Sequence, residues 1–499
     1  MRPINLFLLS KTKPLTIDEF NDYIKCVSKS KRNIKVRDYE RSNIYQFIEK
    51  LMPLCNIEHL NGFYYSYTID QIGKEFDLIK ICKSHILNIE IKSEFTSIEK
   101  IRKQLLLNIH YLKNIRSNVK TFTYIADKNY FYKLNNQLEL VPTSIEQLIE
   151  ELKISTEYID DDIDKIIKPS HYLVSPFNNV DKFMNDEYFL TIQQQQIKNA
   201  IIKDMETAKS YRFYKILGDA GTGKTLLIYD IAKELSRDKN ICIVHSGILN
   251  DGHYKLNECL TNCDIVSAKS LKDLNLSKYD MMIIDETQRL YKWQFIALVD
   301  YALKNNIKIV FSIGIDQIMQ NSEVGNDING EIDKLNNVIK HTLSTKIRTN
   351  ENLASFIKNV VDLNNTNYRA DYENVDIHYA STKSEANELI NYFKEHDYKY
   401  ISFTPSKFKP HEIDSFLSSN NTHTVIGQEF DNVVMLMGQN FQYHEDRLKS
   451  RIHPNPDYIF SKLFYQGITR ARVRLVIIVH RNPELYKQLV KIKENKRSE

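Results

Sequence analysis

"YKILGDAGTGKTLLIYDIAKEL", residues 214–235, runs from an apolar strand through a glycine loop into a helix. Its middle satisfies GxxxxGK[ST] with Gly218, Gly223, Lys224 and Thr225, and Gly221 stands between them. Such a loop turns successive backbone N–H groups and the start of a helix toward one point, where phosphate oxygens are stabilised. Lys224 then reaches the β and γ phosphates, and the Thr225 hydroxyl can hold Mg²⁺. Only 13 glycines occur in 499 residues, yet three lie between positions 218 and 223. Glycine this scarce is kept where backbone must approach something closely.

The segments after this loop repeat its rhythm. Short apolar strands alternate with helices: "NICIVHS", "YDMMIID", "IKIVFSIG", then "YKYISFT", "NVVMLMG" and "VRLVIIVH". Strands apolar throughout belong to parallel sheets covered on both faces, and their number predicts two stacked α/β units. The second, "YDMMIID", ends in Asp285 and is followed at once by Glu286. A carboxylate at that strand end can join a Mg²⁺ shell while its neighbour positions or deprotonates the attacking water. Without the loop upstream, the same pair would read as a helix cap.

Composition bounds the alternatives. Hydrophobic residues at 42%, charged residues at 26% and a net charge of +4 describe an ordinary globular chain with room for about two to four domains. The mild basic balance permits a nucleic-acid partner without requiring one. Cys26, Cys55, Cys82, Cys242, Cys259 and Cys263 form no CxxC pair, which disfavours zinc and suits a reducing, cytoplasmic setting. The opening "MRPINLFLLSKTK" is too short an apolar run for a signal peptide, and no window approaches a membrane span. Residues 153–186 combine an acidic run, two prolines and little periodicity, so 151–186 is the expected linker. It separates an α/β domain at 1–150 from lobes at 187–345 and 346–499. Trp293, the single tryptophan, is expected in a core.

The order of motifs over about residues 187–482 resembles superfamily one helicases, and within them the Schlafen-like helicase group. "LTIQQQQ" resembles the leading motif that reads adenine, through Gln194 or, as the alternative, Gln196. "GDAGTGKT" and "DETQ" match the first two core motifs. "SIGIDQIMQ" resembles the third, with Gln317 favoured over Gln320 as the γ-phosphate sensor. "LSTKIRTN" supplies Arg348, which the resemblance implies reaches the nucleotide from the second lobe. "HTVIGQEFDNVVML" resembles the fifth motif and implies that Gly427, Gln428 and Glu429 lie near ribose or the bound strand. "FYQGITRAR" makes Arg470 the arginine finger. The resemblance implies ATP as substrate, Mg²⁺ as its metal, and nucleic acid, DNA rather than RNA, as partner.

Farther upstream, "EFDLIKICKSHILNIEIK", residues 75–92, poses a separate question. A chain reversal at Lys83-Ser84 sets Asp77 opposite Glu90 and Glu75 opposite Lys92, all four on one face because side chains alternate. Phe76 and Leu78 then face Ile91 and Ile89 on the other side. Opposed carboxylates cost stability, whereas a divalent cation, Mg²⁺ or Mn²⁺, removes the conflict, with the Ile91 carbonyl as a further ligand. Lys92 can then orient water and offset charge on the attacked phosphate. The arrangement resembles the PD-(D/E)xK nuclease core, whose RecB-related branch implies an upstream acid, matched to Glu58, and a helical glutamine, matched to Gln104.

Together these readings predict an α/β protein: two RecA-like P-loop NTPase lobes with parallel sheets, preceded by a smaller restriction-endonuclease-like domain. The predicted function is an ATP-dependent nucleic-acid translocase or helicase coupled to a metal-dependent nuclease. By resemblance such fusions serve antiviral defence, with self-association or partner proteins of a defence system. The alternatives are a nucleotide-gated nucleic-acid sensor that does not unwind, and an RNA-cutting enzyme.

Overall fold

The computed structural model describes the chain except for residues 33, 70, 71, 73, 168–173, 208, 209, 345–350, 366–371, 406–414, 451–456 and 495–499. Two compact units form, Met1–Tyr172 and Leu173–Glu499. Among the described residues no helix is long and apolar enough to cross a membrane.

The first unit is built on a six-stranded sheet in sequence order: β1 (Phe63–Thr68), β2 (Glu75–Ile81), β3 (Ile86–Lys92), β4 (Val119–Ile125), β5 (Tyr130–Leu134) and β6 (Leu140–Thr143). All neighbours are antiparallel except β3 and β4. A parallel pair cannot be joined by a tight turn. The crossover is the helix Ile98–Lys113, started by Ser97, whose hydroxyl accepts from the Lys100 N–H. Strands β2 and β3 pair Leu78 with Ile89, Ile79 with Asn88, Lys80 with Leu87 and Ile81 with Ile86. This is the register that a reversal at Lys83-Ser84 requires. The Cys82 N–H donates to the His85 carbonyl at 2.9 Å to close the turn.

The second unit holds two parallel sheets. One contains β7 (Phe213–Gly218), β8 (Ile241–His245), β9 (Cys263–Ser267), β10 (Met281–Asp285), β11 (Lys308–Ile313) and β12 (Val338–Leu343), in the order β12-β7-β11-β10-β8-β9. The other contains β13 (Val375–Ala380), β14 (Lys399–Tyr400), β15 (Phe430–Met437) and β18 (Ala471–His480), in the order β13-β18-β15-β14. A hairpin, β16 (Phe441–His444) and β17 (Arg447–Ser450), stands apart from both. The unbroken apolar strands are explained by burial on both faces. Met281 and Ile283 join one hydrophobic cluster and Met282 and Ile284 the other. In the second sheet Val433 and Met435 face one core while Val434 and Leu436 face another. Each such side chain contributes about 1.5–3 kcal/mol by leaving water.

Two expectations are corrected. The stretch 151–186 is mostly folded, not a free linker. Its first part belongs to the first unit, where Ile159 N–H donates to Ile81 O at 2.8 Å and Ile163 N–H to Met1 O at 3.0 Å. Val174, Phe177, Val180 and Phe183 enter a core of the second unit. The 345/346 boundary lies outside the described residues. Trp293 is not in a core but 49% exposed. The helix Lys292–Asn305 turns Phe295, Leu298, Val299 and Ala302 inward, and helical spacing then leaves position 293 on the outer face.

Candidate nucleotide and metal sites

The loop after β7 is shaped by its glycines. Gly221 and Gly223 both have φ of +81°, where a side chain would be strained. A Cβ on Gly218 would stand 2.5 Å from Thr222 Oγ1. The helix Lys224–Leu235 begins directly after Gly223, with Lys224 and Thr225 buried in its first turn. Lys224 Nζ donates to Gly218 O at 2.7 Å, to Asp219 O at 3.0 Å and to Gln317 Oε1 at 3.2 Å. Gln194 sits beneath the loop. Its Oε1 accepts from Thr191 N–H at 2.8 Å, and its Nε2 donates to Thr222 O at 3.0 Å and Gly223 O at 3.3 Å. Gln194 therefore braces the phosphate loop with an amide engaged at both ends, a geometry different from adenine reading; Gln196 is exposed.

Asp285 ends β10 in a buried position. Its Oδ1 accepts from Glu286 N–H at 3.0 Å and Ser312 Oγ at 3.2 Å. Its Oδ2 has no hydrogen-bond partner among the described residues, and His245 Nδ1 lies 3.5 Å away. Leaving a buried acceptor unpaired costs about 1–3 kcal/mol, so an orphaned carboxylate oxygen at this strand end fits the hydration shell of Mg²⁺. Glu286 adopts φ of +54°, a conformation that costs about 1–2 kcal/mol away from glycine. Gln288 holds it there, donating from Nε2 to Glu286 Oε2 at 2.6 Å and accepting from Gly314 N–H at 3.1 Å.

The second sheet approaches this site through Gln317. Its Oε1 accepts from Lys224, and its Nε2 donates to Gln466 Oε1 at 3.3 Å. Gln320, the alternative sensor, instead forms a β-bridge with Tyr458. Arg470 is buried, with Nε donating to Gln466 O at 3.2 Å and Nη1 to Gln428 O at 3.3 Å. Tyr465 was not anticipated. Burial pushes its hydroxyl pKa up, the Asp316 and Asp219 carboxylates add to the shift, and Arg470 opposes it. It thus stands where the phosphate loop and the arginine meet, lining a cleft of about 1050 Å³ with Asp219, Asp316, Lys358, Arg447 and Lys462. Its signal was the aromatic inside "FYQGITRAR". Arg348 lies outside the described residues.

Gly427 and Glu429 are covered by the chain's own Ser175–Asn178 stretch. Ser175 Oγ donates to Gly427 O at 3.0 Å, Asn178 Nδ2 donates to Glu429 O at 2.6 Å, and Asn178 Oδ1 accepts from Glu429 N–H at 3.2 Å. Phe177 stacks on His253 at 3.9 Å between ring centres. Burial and the neighbouring His245 push His253 down to about 2, so it stays neutral.

In the first unit Asp77 and Glu90 lie close enough to feel each other's charge, although the paired register of β2 and β3 ends at Leu78 and Ile89. Asp77 Oδ2 accepts from Ile91 N–H at 2.7 Å. Glu90 accepts from Asn108 at 2.8 Å and Asn88 at 3.3 Å on Oε1, and from Gln104 at 2.5 Å on Oε2. Gln104 Oε1 in turn accepts from Lys92 Nζ at 2.6 Å. Burial first, then the charge of Glu90, raises the Asp77 pKa well above the usual carboxylate range. Two carboxylates in this state have the donor chemistry for a hard divalent cation. No group of three or more His, Cys, Asp and Glu able to hold a metal occurs among the described residues.

Three particulars differ from expectation. Strict alternation fails at Asp77, because Phe76 packs edge-on against Tyr111 of the same helix that Glu90 reaches through Gln104 and Asn108. The neighbouring strand breaks its own alternation at Ser66, with φ of +49°. Glu58 is exposed on a short turn, Ile57–Leu60, whose His59 carbonyl accepts from Lys80 Nζ. Lys80 is near the opposite end of β2 from Glu75, so Glu58 is withdrawn as a ligand. Glu40 is the acid that shares the pocket. From the helix Asp38–Leu51 it lines a cavity of about 380 Å³ with Glu75, Asp77 and Lys92. Lys74 is a further unanticipated neighbour: burial lowers its pKa, while Glu90, Asp77 and Glu75 oppose the shift.

The family model described as Schlafen group 3, DNA/RNA helicase domain, matches residues 212–400. No curated protein matches the sequence. Among solved structures, the chain is similar to the Pif1 helicase from Bacteroides in complex with ADP-AlF3 and ssDNA. That match has 13% identity and a TM-score of 0.32, covering 58% of this chain and 92% of that one. It is also similar to the Pif1 helicase from Candida albicans, at 11% identity, a TM-score of 0.32, and 61% and 98% coverage. Domain III of the Thermotoga maritima replication initiation protein DnaA matches at 16% identity and a TM-score of 0.21, covering 32% and 67%. With the family match and the loop geometry together, the second unit carries a helicase-like P-loop NTPase domain.

Proposed function

We propose that the second unit is an ATP-hydrolysing motor that moves along nucleic acid. The observation that carries this reading is the chain Lys224–Gln317–Gln466. One side chain touches both the lysine aimed at the β and γ phosphates and the helix Phe460–Ile468 that precedes Arg470. A γ-phosphate arriving at Lys224 competes with Gln317, and its loss returns the lysine to the glutamine. Nucleotide state is thereby transmitted between the sheets. Glu286, held by Gln288, would orient or deprotonate water. Arg470 would turn from its carbonyl partners toward transferring phosphate. Thr225 and Asp285 would hold Mg²⁺, which would neutralise charge on the phosphate oxygens. Lys224→Ala should abolish ATP hydrolysis, and retained turnover would falsify the site. A switch that never translocates is separated by strand displacement: nucleic-acid-stimulated hydrolysis without movement or unwinding would favour it.

A second reading, for the first unit, is phosphodiester cleavage assisted by a divalent cation. The Lys92–Gln104–Glu90 chain favours it, because the glutamine fixes both the amine and the carboxylate beside Asp77. Asp77 and Glu90 would hold Mg²⁺ or Mn²⁺, with Lys92 offsetting charge at the attacked phosphate. The bound cation would supply an activated water. By resemblance, cutting invading DNA in antiviral defence is the proposed setting. Asp77→Ala and Lys92→Ala should each stop Mg²⁺-dependent cleavage while ATP hydrolysis persists. Cutting that survives either change would remove this reading and leave the motor untouched. Parallel DNA and structured-RNA substrates distinguish a DNA-cutting from an RNA-cutting enzyme.

A further inference from the structure

The single tryptophan of the chain stands in water beside a lysine. Trp293 is 49% exposed, and Lys272 Nζ lies 4.6 Å from its ring centre. Lys272 belongs to the short turn Ala268–Asp273 that follows β9. Buried Gln294 clamps this turn to the tryptophan's helix, donating from Nε2 to Ala268 O at 2.8 Å. The indole and the ammonium are therefore presented by fixed backbone. Ile296, one helical turn on, is also exposed and extends the apolar surface. Lys269 and Lys272 make no ion pair among the described residues.

The position of this patch in the sheet is informative. Ser267 pairs with His245, and His245 pairs with Asp285. The turn bearing Lys269 and Lys272 thus starts level with the Asp285 carboxylate, two strand spacings or about 10 Å away. All three strands end on one edge, the carboxyl edge of a parallel sheet, where such sheets take their ligands. An exposed indole beside one ammonium group, with a second exposed lysine on the same short turn, offers a face for a base and cations for the adjoining phosphates, the chemistry that holds single strands without reading sequence. A protein partner would be served by the indole and Ile296 but gives the two lysines no role.

We propose that Trp293, Lys272 and Lys269 form a stacking platform for single-stranded nucleic acid on the first lobe of the NTPase unit. The proposal rests on the motor reading above and adds the contact through which a strand would lie beside the hydrolysis site.

Because Trp293 is the only tryptophan, its emission reports this site alone. Full-length protein would be titrated with oligothymidylate while tryptophan emission is followed. Binding of a dye-labelled copy would be followed separately by anisotropy. Emission should be quenched along the anisotropy isotherm. Trp293→Ala should weaken binding about fivefold or more, the size of one base–aromatic stack, and Trp293→Phe should restore most of it. Lys272→Ala should weaken binding and flatten its salt dependence. ATP hydrolysis without nucleic acid should be unchanged in all three variants. Binding with unaltered tryptophan emission, or equally tight binding by Trp293→Ala, overturns the platform and leaves the motor reading standing. A loss in Trp293→Ala that phenylalanine does not restore also overturns it. No binding of the oligonucleotide, with or without nucleotide, overturns both.

Discussion

Asp77 and Glu90 are chemically alike and differently held. Glu90 receives three side-chain amide donors, whereas Asp77 receives one backbone N–H and the full effect of Glu90's charge. Neutralising each by its isosteric amide should therefore act in opposite directions. Asp77→Asn removes a like-charge conflict and can keep its carbonyl toward Ile91, so it should stabilise the unit by up to about 1 kcal/mol. Glu90→Gln puts an amide among amides: Gln104 cannot both accept from Lys92 and turn its oxygen toward position 90. That substitution should cost about 1–3 kcal/mol. Hydrogen-exchange protection of a peptide spanning β3 measures both, and equal signs would show that the pair is not in conflict. At this scale the sequence was readable where strand register decides. The pairing of β2 with β3 follows from positions around Lys83-Ser84, and Lys92 follows from it. Glu40 was not readable, because nothing local says which helix will lean over the strand ends. Glu58 was chosen by its order in the chain, and order does not measure distance. Gln194 matched by spacing, yet spacing cannot tell a side chain facing a ligand from one bracing the loop behind it.

Short segments without periodicity carry much of the contact between the lobes of the second unit. Prolines and few repeats made 151–186 read as linker, although Val174, Phe177, Val180 and Phe183 were apolar in plain view. Irregular backbone hides a buried segment from any test based on period. Phe177 is the clearest case. A Cβ on Gly427 would meet its Cε2 at 2.3 Å, and Gly427 has φ of +77°. Gly427→Ala should then cost about 1–2 kcal/mol in backbone strain plus about 1–3 kcal/mol in overpacking. With Phe177→Ala in the background, only the strain remains. A double-mutant cycle by urea unfolding, read through Trp293, should give a coupling of about 1–3 kcal/mol. Additive effects would mean that the phenylalanine does not press on this glycine. A second irregular contact joins Met319–Ser322 to Asp457–Ile459. Ile459 N–H donates to Met319 O at 2.8 Å, and Asp457 accepts from Ser322 N–H and Oγ, each at 2.8 Å. Met319 enters the core of the second sheet, although its strand neighbours belong to the first. The segment Gln317–Ser322 is thus tied to both sheets, with Gln317 touching Lys224 on one side and Gln466 on the other.

On the scale of the whole molecule, the parallel architecture was legible because double-sided burial writes unbroken apolar strands into the sequence, as β10 and β11 show. The limits of the first unit were not, because they depend on pairings far apart in the chain. Cys82 bridges to Tyr158, the Ile159 N–H donates to Ile81, and a Cβ on Gly62 would stand 2.4 Å from the Tyr158 ring. Ile163 is fully buried and donates its N–H to Met1, whose amino group also pairs with Asp164 at 3.1 Å. Residues 151–167 therefore complete the sheet unit instead of leading away from it. A fragment of residues 1–167 should unfold cooperatively in urea. A fragment ending at residue 150 loses Ile163 from the core, which alone costs about 2–5 kcal/mol by comparison with truncating a buried isoleucine, and strips partners from buried backbone groups near Tyr158. Against a total of about 5–15 kcal/mol for a domain, that loss should abolish the cooperative transition. Equal midpoints for the two fragments would mean that the contacts of Tyr158 and Ile163 are peripheral, and the first unit would then end where the sequence alone placed it.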